Sequence, residues 1–181
     1  DLIDIGGEST RPGSRRLSYR EEIKRVIPLI DRLARRIGTP LSADTMKAEV
    51  ARAAVDAGAE IINDVSAMRY DRKMAGVMAA SRVAVILMHM RGTPRTMQEG
   101  DLRYRSLTGE IIRFLGMRIE KAVAAGVARE NIIVDPGIGF GKRMEDNFTL
   151  IRHLRELKTL GRPIALGPSR KAFLGVSTGV K

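Results

Sequence analysis

The amino-acid sequence predicts an α/β fold built on a parallel sheet, and two observations support this prediction. Short apolar runs rich in Ile and Val alternate with longer segments whose apolar residues recur at helical spacing. No linker or low-complexity segment interrupts this alternation, so residues 1–181 are expected to form a single domain. Repeated strand–helix–strand units give parallel strands joined by right-handed crossovers, either in an open doubly wound sheet or in a closed (β/α)8 barrel.

The apolar runs predict six strands. They cover residues 2–5, 41–43, 60–65, 83–88, 132–134 and 164–166. Each run is short and is followed by polar or turn-forming residues, as is typical of strands in a parallel sheet.

The segments between the apolar runs predict five helices. The first begins at a capping box formed by Ser18 and Glu21 and continues to Gly38, with Pro28 expected to kink it. The other helices are expected at residues 47–57, 71–80, 108–125 and 145–160. Three of these four are followed directly by glycine, which is typical of a helix C terminus.

Composition and charge narrow the function classes. No apolar stretch approaches the roughly 20 residues of a membrane span, and no signal-peptide pattern is present. The net charge of +11 would suit a nucleic acid, an anionic membrane or an anionic small substrate. Aromatic residues make up only 4%, so stacking platforms for single-stranded nucleic acid are scarce. The absence of cysteine excludes thiolate chemistry and fits a cytoplasmic protein. We therefore expect no nucleic-acid or membrane partner.

Polar residues follow every predicted strand. The six strand ends lead into GGESTRPG, Asp44 with Thr45, Asn63 with Asp64, MHMRGTP, Asp135 and GPSRK. Both candidate architectures place their functional residues at the carboxyl ends of the strands. Six polar strand ends favour one shared pocket over scattered caps and turns.

The segment DPGIGFGK, residues 135–142, resembles a phosphate loop in composition but not in spacing. A P-loop needs G-x-x-x-x-G-K followed by Ser or Thr, whereas Pro136 stands five positions before Gly141 and Arg143 follows Lys142. The dinucleotide fingerprint G-x-G-x-x-G fails as well, because the three glycines are spaced by two. We expect these glycines to let the backbone approach a flat ligand closely.

The two histidines give no indication of a metal site. No HExxH motif or clustered His/Cys spacing suggests zinc. His153 is expected in the middle of a helix, in a surface or packing role. His89 is expected to pack or to support a neighbouring side chain.

Six segments carry a resemblance to a known family. They are DIGGESTRPG, SADT, IINDV, LMHMRGTPRTMQ, DPGIGFGK and GPSRK, in this order across the whole chain. The sequence resembles the dihydropteroate synthases, folate-pathway enzymes of the pterin-binding barrel family. The resemblance implies a TIM (β/α)8 barrel that condenses 7,8-dihydropterin pyrophosphate with para-aminobenzoate. The implied products are 7,8-dihydropteroate and pyrophosphate, with Mg²⁺ as cofactor.

The resemblance assigns the pterin site. Asp44, Asn63 and Asp135 are implied to bind the pterin edge, where donors and acceptors alternate. Lys171 is implied to hydrogen-bond the pterin ring and to stack over the pocket. Asp44, Asp135 and Lys171 are the implied catalytic residues, because carboxylates stabilise the pterin cation that develops as pyrophosphate departs. The remaining positions implied near the substrates are Val65, Met88, Gly139 and Gly167.

The resemblance also assigns the para-aminobenzoate site. Phe140 is implied to form an apolar wall for the ring, and Ser169 and Arg170 are implied to lie beside the substrate carboxylate. A mobile loop that covers this second substrate would contain Thr10, Arg11 and Pro12.

The sequence departs from the family pattern at both ends. The family normally begins with a strand bearing an Asn that helps to hold Mg²⁺ and pyrophosphate, and ends with a strand bearing an Arg and a His. Neither segment occurs in the sequence, so strands two to seven of the eight-stranded barrel are expected here. No metal ligand is expected within residues 1–181, because the family's ligand lies in the first segment.

Three function classes remain open. The first is dihydropteroate synthase, and the second is a pterin-binding methyltransferase that passes a methyl group from a folate to a corrinoid. The third is an inactive binding paralogue. STRPG and SRK argue against the methyltransferase, and the intact pterin-site residues argue against the inactive paralogue. The implied partners are the two small-molecule substrates and, as in many members of the family, a second copy of the chain.

Overall fold

The computed structural model describes residues 1–11, 13–168, 171, 174–175 and 179. A five-stranded parallel sheet with strand order β1-β2-β3-β4-β5 forms its centre. The strands are β1 (Ile3–Gly6), β2 (Leu41–Asp44), β3 (Ile61–Asp64), β4 (Ala84–Met88) and β5 (Ile132–Asp135). Each strand pairs with the next strand in the sequence, whereas a doubly wound sheet reverses its strand order at a switch point. Of the two architectures that the sequence allows, this order favours the barrel.

The sixth apolar run continues the sheet beside β5 as a single bridge. Ile164 pairs with Val134 in parallel orientation. Val134 N–H donates to Pro163 O at 3.0 Å, and Ala165 N–H donates to Val134 O at 2.8 Å. The predicted position is therefore right, but the pairing is shorter than the predicted strand 164–166.

Five α-helices accompany the strands in the part of the chain that the structure describes. They are α1 (Tyr19–Ala34), α2 (Ala48–Asp56), α3 (Met74–Ser81), α4 (Leu107–Ala124) and α5 (Met144–Arg152). Short 3₁₀ helices cover Arg129–Asn131 and Leu154–Leu160. The helices alternate with the strands as the sequence predicts.

Helix α1 begins at the predicted capping box and ends earlier than predicted. Ser18 Oγ accepts the Glu21 N–H at 3.2 Å, and a Glu21 carboxylate oxygen accepts the Ser18 N–H at 2.9 Å. The helix ends at Ala34 rather than near Gly38. Ile37 lies in the turn that closes the helix, where its N–H donates to Leu33 O, yet it still packs against the core beside α1. Its apolar side chain therefore extended the helical pattern past the true helix end.

The prediction of one continuous helix over residues 145–160 is wrong. Helix α5 ends at Arg152, His153 caps it, and Leu154–Leu160 continues as a 3₁₀ helix. Leucines recur here every third residue, which is the spacing that aligns side chains in a 3₁₀ helix. Leu157 is thereby fully buried. His153 consequently lies at a helix end rather than in mid-helix, with its Nδ1 2.8 Å from Glu156 Oε1.

The two faces of the sheet have different surroundings. On one face, Ile62 of β3 and Leu87 of β4 are fully buried in a core that includes Leu115 of α4. Asn63 is the next residue along β3, so its side chain projects from the opposite face. That opposite face carries the polar strand ends Asp44, Asn63 and Asp135, whereas Asp64 lies on the core face opposite Leu87. None of the helices among the described residues is both long enough and apolar enough to cross a bilayer.

Candidate active site at the carboxyl ends of the strands

The sheet register brings the residues predicted for the pterin site to one face. Asp44 at the end of β2 lies opposite Asn63 of β3, and Met88 at the end of β4 lies opposite Asp135 of β5. Asn63 lies opposite Ile86, two residues before Met88. Side chains two residues apart in a strand share a face, so these groups project to the same side. The parallel strands place them along one edge of the sheet.

Asp44 lies in a negative environment. Burial raises the pKa of its carboxyl well above the ordinary value, and the nearby carboxylates of Asp4, Asp64 and Glu22 raise it further. The ammonium of Lys171 acts in the opposite direction. A ligand that donates hydrogen bonds or carries positive charge would therefore stabilise the ionised form of Asp44.

Asn63 is oriented by a carboxylate to which sequence analysis assigned no role. Asn63 Nδ2 donates to Asp4 Oδ2 at 3.0 Å. Asn63 Oδ1 is buried and makes no hydrogen bond to the residues that the structure describes, so it is available to accept an N–H from a ligand. Burial raises the pKa of Asp4, while the hydrogen bond from Asn63 opposes the rise. The sequence held one signal for this role of Asp4, which is a single Asp between two apolar residues of a predicted strand. Its spacing places it on the same face of the sheet as Asp44.

The carboxyl group of Asp135 stabilises a turn, and its pKa is raised from the ordinary value. Its Oδ1 accepts the Gly137 N–H at 2.7 Å, so the carboxylate caps the turn that follows β5. Burial raises the pKa of Asp135 to about 6, against the opposing effects of the Gly137 N–H, Lys142 and Lys171. Asp135 is therefore mostly ionised at neutral pH and becomes protonated in mild acid.

Gly137 shows why this turn requires glycine. Its φ is +71°, and a Cβ at this position would lie 1.9 Å from His89 O. Any side chain would therefore collide with the backbone that follows β4. The glycine allows the β5 loop to pack directly against the β4 loop.

Lys142 is a pocket residue that sequence analysis missed, having weighed it only as a phosphate ligand. It is 3% exposed, and its Nζ donates to Gly137 O at 2.8 Å and to Phe140 O at 3.0 Å. Burial lowers the pKa of Lys142 to about 7, although Asp135 opposes the shift. The side chain closes the loop 137–142 on itself and places a titratable cation near Asp135. A lysine that follows a glycine-rich turn by a few residues was the only local signal.

His89 supports this lysine. Its Nδ1 lies 3.0 Å from Lys142 Nζ. The pKa of His89 falls to about 2 because of burial and the nearby charges of Lys142, Arg69 and Arg91. The neutral ring therefore accepts at Nδ1 from the Lys142 ammonium and carries its proton on Nε2.

Lys171 lies between residues predicted for the pterin site and Phe140, which is predicted for the para-aminobenzoate site. Its Nζ is 4.1 Å from the centre of the Phe140 ring, a cation–π contact. Burial lowers the pKa of Lys171, and the carboxylates of Asp135 and Asp44 oppose the shift. Of the three residues expected to be catalytic, Lys171 is therefore close enough to both carboxylates to influence their charge.

An apolar cluster lies at the same end of the sheet as these polar groups. It consists of six buried residues in the last positions of the strands or in the segments that follow them, namely Met46, Val65, Met88, Met90, Met97 and Phe140. Gly139 is held at its edge, where its N–H donates to Asn147 Oδ1 at 2.7 Å and its carbonyl accepts from Gln98 Nε2 at 3.0 Å. Sequence analysis did not identify Asn147 or Gln98. Gly167 is exposed in the segment that follows the β5 bridge.

The residues predicted for the second substrate are only partly described. Thr10 is half-buried and Arg11 is exposed in the loop after β1. Pro12, Ser169 and Arg170 lie outside the described residues.

The described residues do not form a metal centre. No group of three or more His, Asp or Glu side chains among them is arranged to hold an ion. Asp4 accepts a hydrogen bond from Asn63, and Asp135 accepts one from the Gly137 N–H.

Comparison with known proteins decides the family. The profile of the family described as "Pterin binding enzyme" matches residues 1–181. The chain belongs to the pterin-binding enzyme family. Its relatives include dihydropteroate synthases from Synechocystis, 48% identical over 96% of this chain, and from Bacillus subtilis, 45% identical over 96% of this chain. These matches cover 60% and 58% of the two relatives, so the chain spans about three-fifths of their length.

Solved structures of the family have the same fold. The dihydropteroate synthase of Yersinia pestis, solved with a sulfonamide drug, matches with a TM-score of 0.95 at 42% identity, over 99% of this chain and 64% of that protein. The Xanthomonas albilineans enzyme, solved with 4-aminobenzoic acid, matches with a TM-score of 0.92 at 46% identity, over 100% of this chain and 63% of that protein. The predicted TIM-barrel fold class is thus confirmed, with five strands and one bridge of the barrel described here.

Proposed function

We propose that the natural polypeptide containing residues 1–181 is a dihydropteroate synthase, and that this chain supplies its pterin site and part of its para-aminobenzoate site. The observation that carries the proposal is the convergence of Asp44, Asn63, Asp135 and Lys171 at one edge of the sheet. The relatives named above are dihydropteroate synthases, and their names support the same reaction for this chain.

The pterin would be bound through its pyrimidine edge. Asn63 Oδ1 and the carboxylates of Asp44 and Asp135 offer acceptors for the ring and amino N–H groups, and Lys171 offers a donor for a ring acceptor. Asp4 would keep the Asn63 amide turned so that its oxygen faces the ligand. This pattern selects a heterocycle with alternating donors and acceptors.

Asp44 and Asp135 would also assist bond cleavage. In the reaction, the bond between the pterin methylene carbon and the diphosphate oxygen breaks, and the electron pair leaves with the diphosphate. The arylamine nitrogen then forms a bond to the same carbon and loses a proton to solvent. Positive charge develops on the pterin as the diphosphate departs, and carboxylates already fixed beside the ring stabilise that charge without reorganising.

The arylamine would lie against Phe140 and Lys171. Phe140 is 8% exposed in the apolar cluster, and the cation over its ring narrows the space for a flat substrate. Ser169 and Arg170 would bind the carboxylate, and Thr10, Arg11 and Pro12 would cover the substrate from the loop after β1. The Xanthomonas albilineans and Yersinia pestis structures contain 4-aminobenzoic acid and a sulfonamide drug, and both support a site for this class of ligand.

Mg²⁺ would enter with the diphosphate of the substrate, because phosphate oxygens and waters are the ligands that Mg²⁺ prefers in such sites.

The further proposals are a cytoplasmic location, no nucleic-acid or membrane partner, and a homodimer. Met144, Phe148 and Ile151 support self-association, since they are 46%, 38% and 37% exposed on one face of α5. Sedimentation of wild type and Ile151→Glu would test the dimer, which the substitution should weaken.

The proposed reaction is tested by dihydropteroate formation from the two substrates, with and without a chelator of divalent cations. We expect Asp135→Asn to reduce activity and the affinity for a non-hydrolysable pterin analogue by about 10- to 100-fold, since a charged hydrogen bond contributes roughly 1.5–3 kcal/mol. Asp56→Asn, an exposed carboxylate on α2, is the matched control and should retain wild-type values. Sulfonamides should compete with para-aminobenzoate.

Two results would contradict the proposal. Pterin binding without dihydropteroate formation in wild type would indicate an inactive paralogue, and methyl transfer to a corrinoid would indicate the methyltransferase. Equal values for wild type and Asp135→Asn would leave Asp135 with a turn role alone.

A further inference from the structure

A buried ionic cluster lies outside the pterin pocket, where the loop after β1 meets α1 and the start of α2. Lys47 Nζ lies 2.7 Å from Glu8 Oε2 and also contacts Glu22 Oε2. The side chains of Lys47, Glu8 and Glu22 are only 11%, 13% and 1% exposed. Thr45 Oγ1 donates to Glu22 Oε1 at 2.6 Å and accepts the Lys47 N–H at 3.2 Å. We call these four residues the neck cluster.

Glu8 joins the two ends of the loop that contains the predicted arylamine contacts. Its own backbone begins the loop, and its Oε2 accepts the N–H of Leu17, nine residues later, at 2.8 Å. The intervening residues 9–16, which we call the covering loop, are mostly exposed where they are described, at positions 9–11 and 13–16. The carboxylate of Glu8 therefore closes the loop at its base.

The chain just before Glu8 is also pressed against α1. A Cβ at Gly7 would lie 2.8 Å from Val26 Cγ2 and 2.9 Å from Glu22 Cγ. Arg25 donates to Gly7 O at 3.1 Å. The base of the covering loop is thus held by α1, by Lys47 and by Leu17 at once.

Stability alone does not explain three charged groups at this place. A buried ion network is often no more stable than apolar residues of similar volume, because the desolvation of the charges offsets their attraction. Carboxylate and ammonium contacts do, however, fix distances and directions more narrowly than apolar packing does. The network therefore suits a part of the chain whose exact placement matters.

We propose that Glu8, Lys47 and Glu22 are positioning residues that fix the base of the covering loop, so that Thr10 and Arg11 reach the arylamine substrate. This inference rests on the proposed function, because it assigns the loop to the second substrate of that reaction. The neck cluster acts mainly on arylamine binding, and its link to the pterin site is Glu22, whose carboxylate raises the pKa of Asp44.

The test compares Glu8→Gln, Lys47→Met and the control Lys73→Met in the natural polypeptide. Glu8→Gln keeps the volume and an acceptor for the Leu17 N–H but removes the charge that pairs with Lys47. Lys73 forms a surface ion pair with Glu49 and is 78% exposed, so its loss removes a lysine without disturbing a buried network. If Lys47→Met does not fold, Glu8→Gln carries the test.

Three measurements separate positioning from a general structural role. In Glu8→Gln and Lys47→Met, the KM for para-aminobenzoate should rise by about tenfold or more, since displacement of a binding group by about 1 Å is costly. The affinity for a pterin analogue, measured without arylamine, should change less than about twofold in Glu8→Gln, which keeps the Lys47–Glu22 pair. Trypsin should cleave after Arg15 and Arg16 faster than in wild type, because the freed loop samples more open conformations.

Two outcomes would overturn the inference. One is cleavage at the wild-type rate in both variants, and the other is a loss of pterin affinity as large as the loss for the arylamine. If wild type forms no dihydropteroate, the proposed function fails, while the cleavage rates still decide whether the neck cluster holds the loop. Lys73→Met should match wild type in all three measurements.

Discussion

Lys47 and Lys142 are two buried lysines near the carboxyl ends of the strands, and their surroundings differ in one respect. Lys47 contacts two carboxylates, those of Glu8 and Glu22. Lys142 Nζ bonds to the neutral His89 ring and to the carbonyls of Gly137 and Phe140. Burial lowers the pKa of both ammonium groups, but for Lys47 the two carboxylates outweigh burial and the pKa is raised. For Lys142 burial dominates and the pKa falls to about 7.

The comparison shows that burial alone does not decide what a lysine can do. A lysine paired with carboxylates keeps its charge at any physiological pH and can hold chain segments together. A lysine surrounded by neutral acceptors changes its charge near neutral pH and responds to nearby groups such as Asp135. The first arrangement suits the base of a loop, and the second suits the edge of a binding pocket.

Removing each lysine in turn should give the largest difference between the two sites. We expect Lys47→Met to lower the free energy of unfolding by about 3–5 kcal/mol, because it leaves two buried carboxylates without their cation. Lys142→Met should lower it by only about 1–3 kcal/mol, because the groups left behind are neutral acceptors. Urea denaturation at pH 7 measures both values, with Lys73→Met as the control near zero. Equal losses for the two buried lysines would show that their partners do not determine their contributions.

The same two lysines mark the limit of what the sequence could predict. The capping box of α1 was predictable because Ser18 and Glu21 are three residues apart and interact locally. Lys47 and Glu8 are 39 residues apart, and Lys142 and His89 are 53 apart, so only the folded chain brings them together. Strand ends were predictable because parallel strands must place them at one edge, which brought Asp44, Asn63 and Asp135 together.

The 3₁₀ segment was unpredictable for a related reason. Residues 154–160 have a composition that suits an α-helix, and the change to a 3₁₀ helix accompanies the burial of Leu157 in the core beside α4. Tertiary packing therefore determined the local conformation. The polar partner of Asn63 was missed in the same way, because Asp4 lies 59 residues away.

The two lysines should also have opposite effects on the pH dependence of stability. A lysine whose pKa is lower in the folded than in the unfolded state binds fewer protons when folded, so stability rises with pH between the two values. For Lys142 this window runs from about 7 to the ordinary 10.5, with a slope of at most roughly 1.4 kcal/mol per pH unit. The pKa of Lys47 is raised instead, so its effect on the pH dependence of stability has the opposite sign. The stability that Lys47 contributes is fully present below pH 10.5 and is lost as the pH rises through the pKa of the folded state. Urea denaturation at pH 7, 8 and 9 should show a smaller rise in Lys142→Met than in wild type and in Lys47→Met, because of Lys142 and Lys171, whose pKa is also lowered by burial, only Lys171 then contributes. A rise as large in Lys142→Met as in wild type would assign it to another group.

The smallest expected effect concerns Asp135, the carboxylate that Lys142 helps to keep ionised. Burial raises the pKa of Asp135 to about 6, and the charge of Lys142 opposes the rise, so removal of that charge should raise the pKa further. If the pterin needs the ionised carboxylate, its affinity should fall by about tenfold for each pH unit below the pKa of Asp135.

The midpoint of this fall should move upward by about half to one pH unit in Lys142→Met, as expected for the loss of one nearby opposite charge. Lys47→Met should leave the midpoint where it is, because the leading causes of the pKa shift of Asp135 are burial, the Gly137 N–H, Lys142, Lys171 and Asp4. Calorimetric titration of a pterin analogue between pH 5 and 8 would measure all three midpoints, with Asp135→Asn as the variant that should lose the part of the pH dependence that Asp135 contributes. The same midpoint in Lys142→Met as in wild type would show that Lys142 closes the loop without influencing the charge of the pocket.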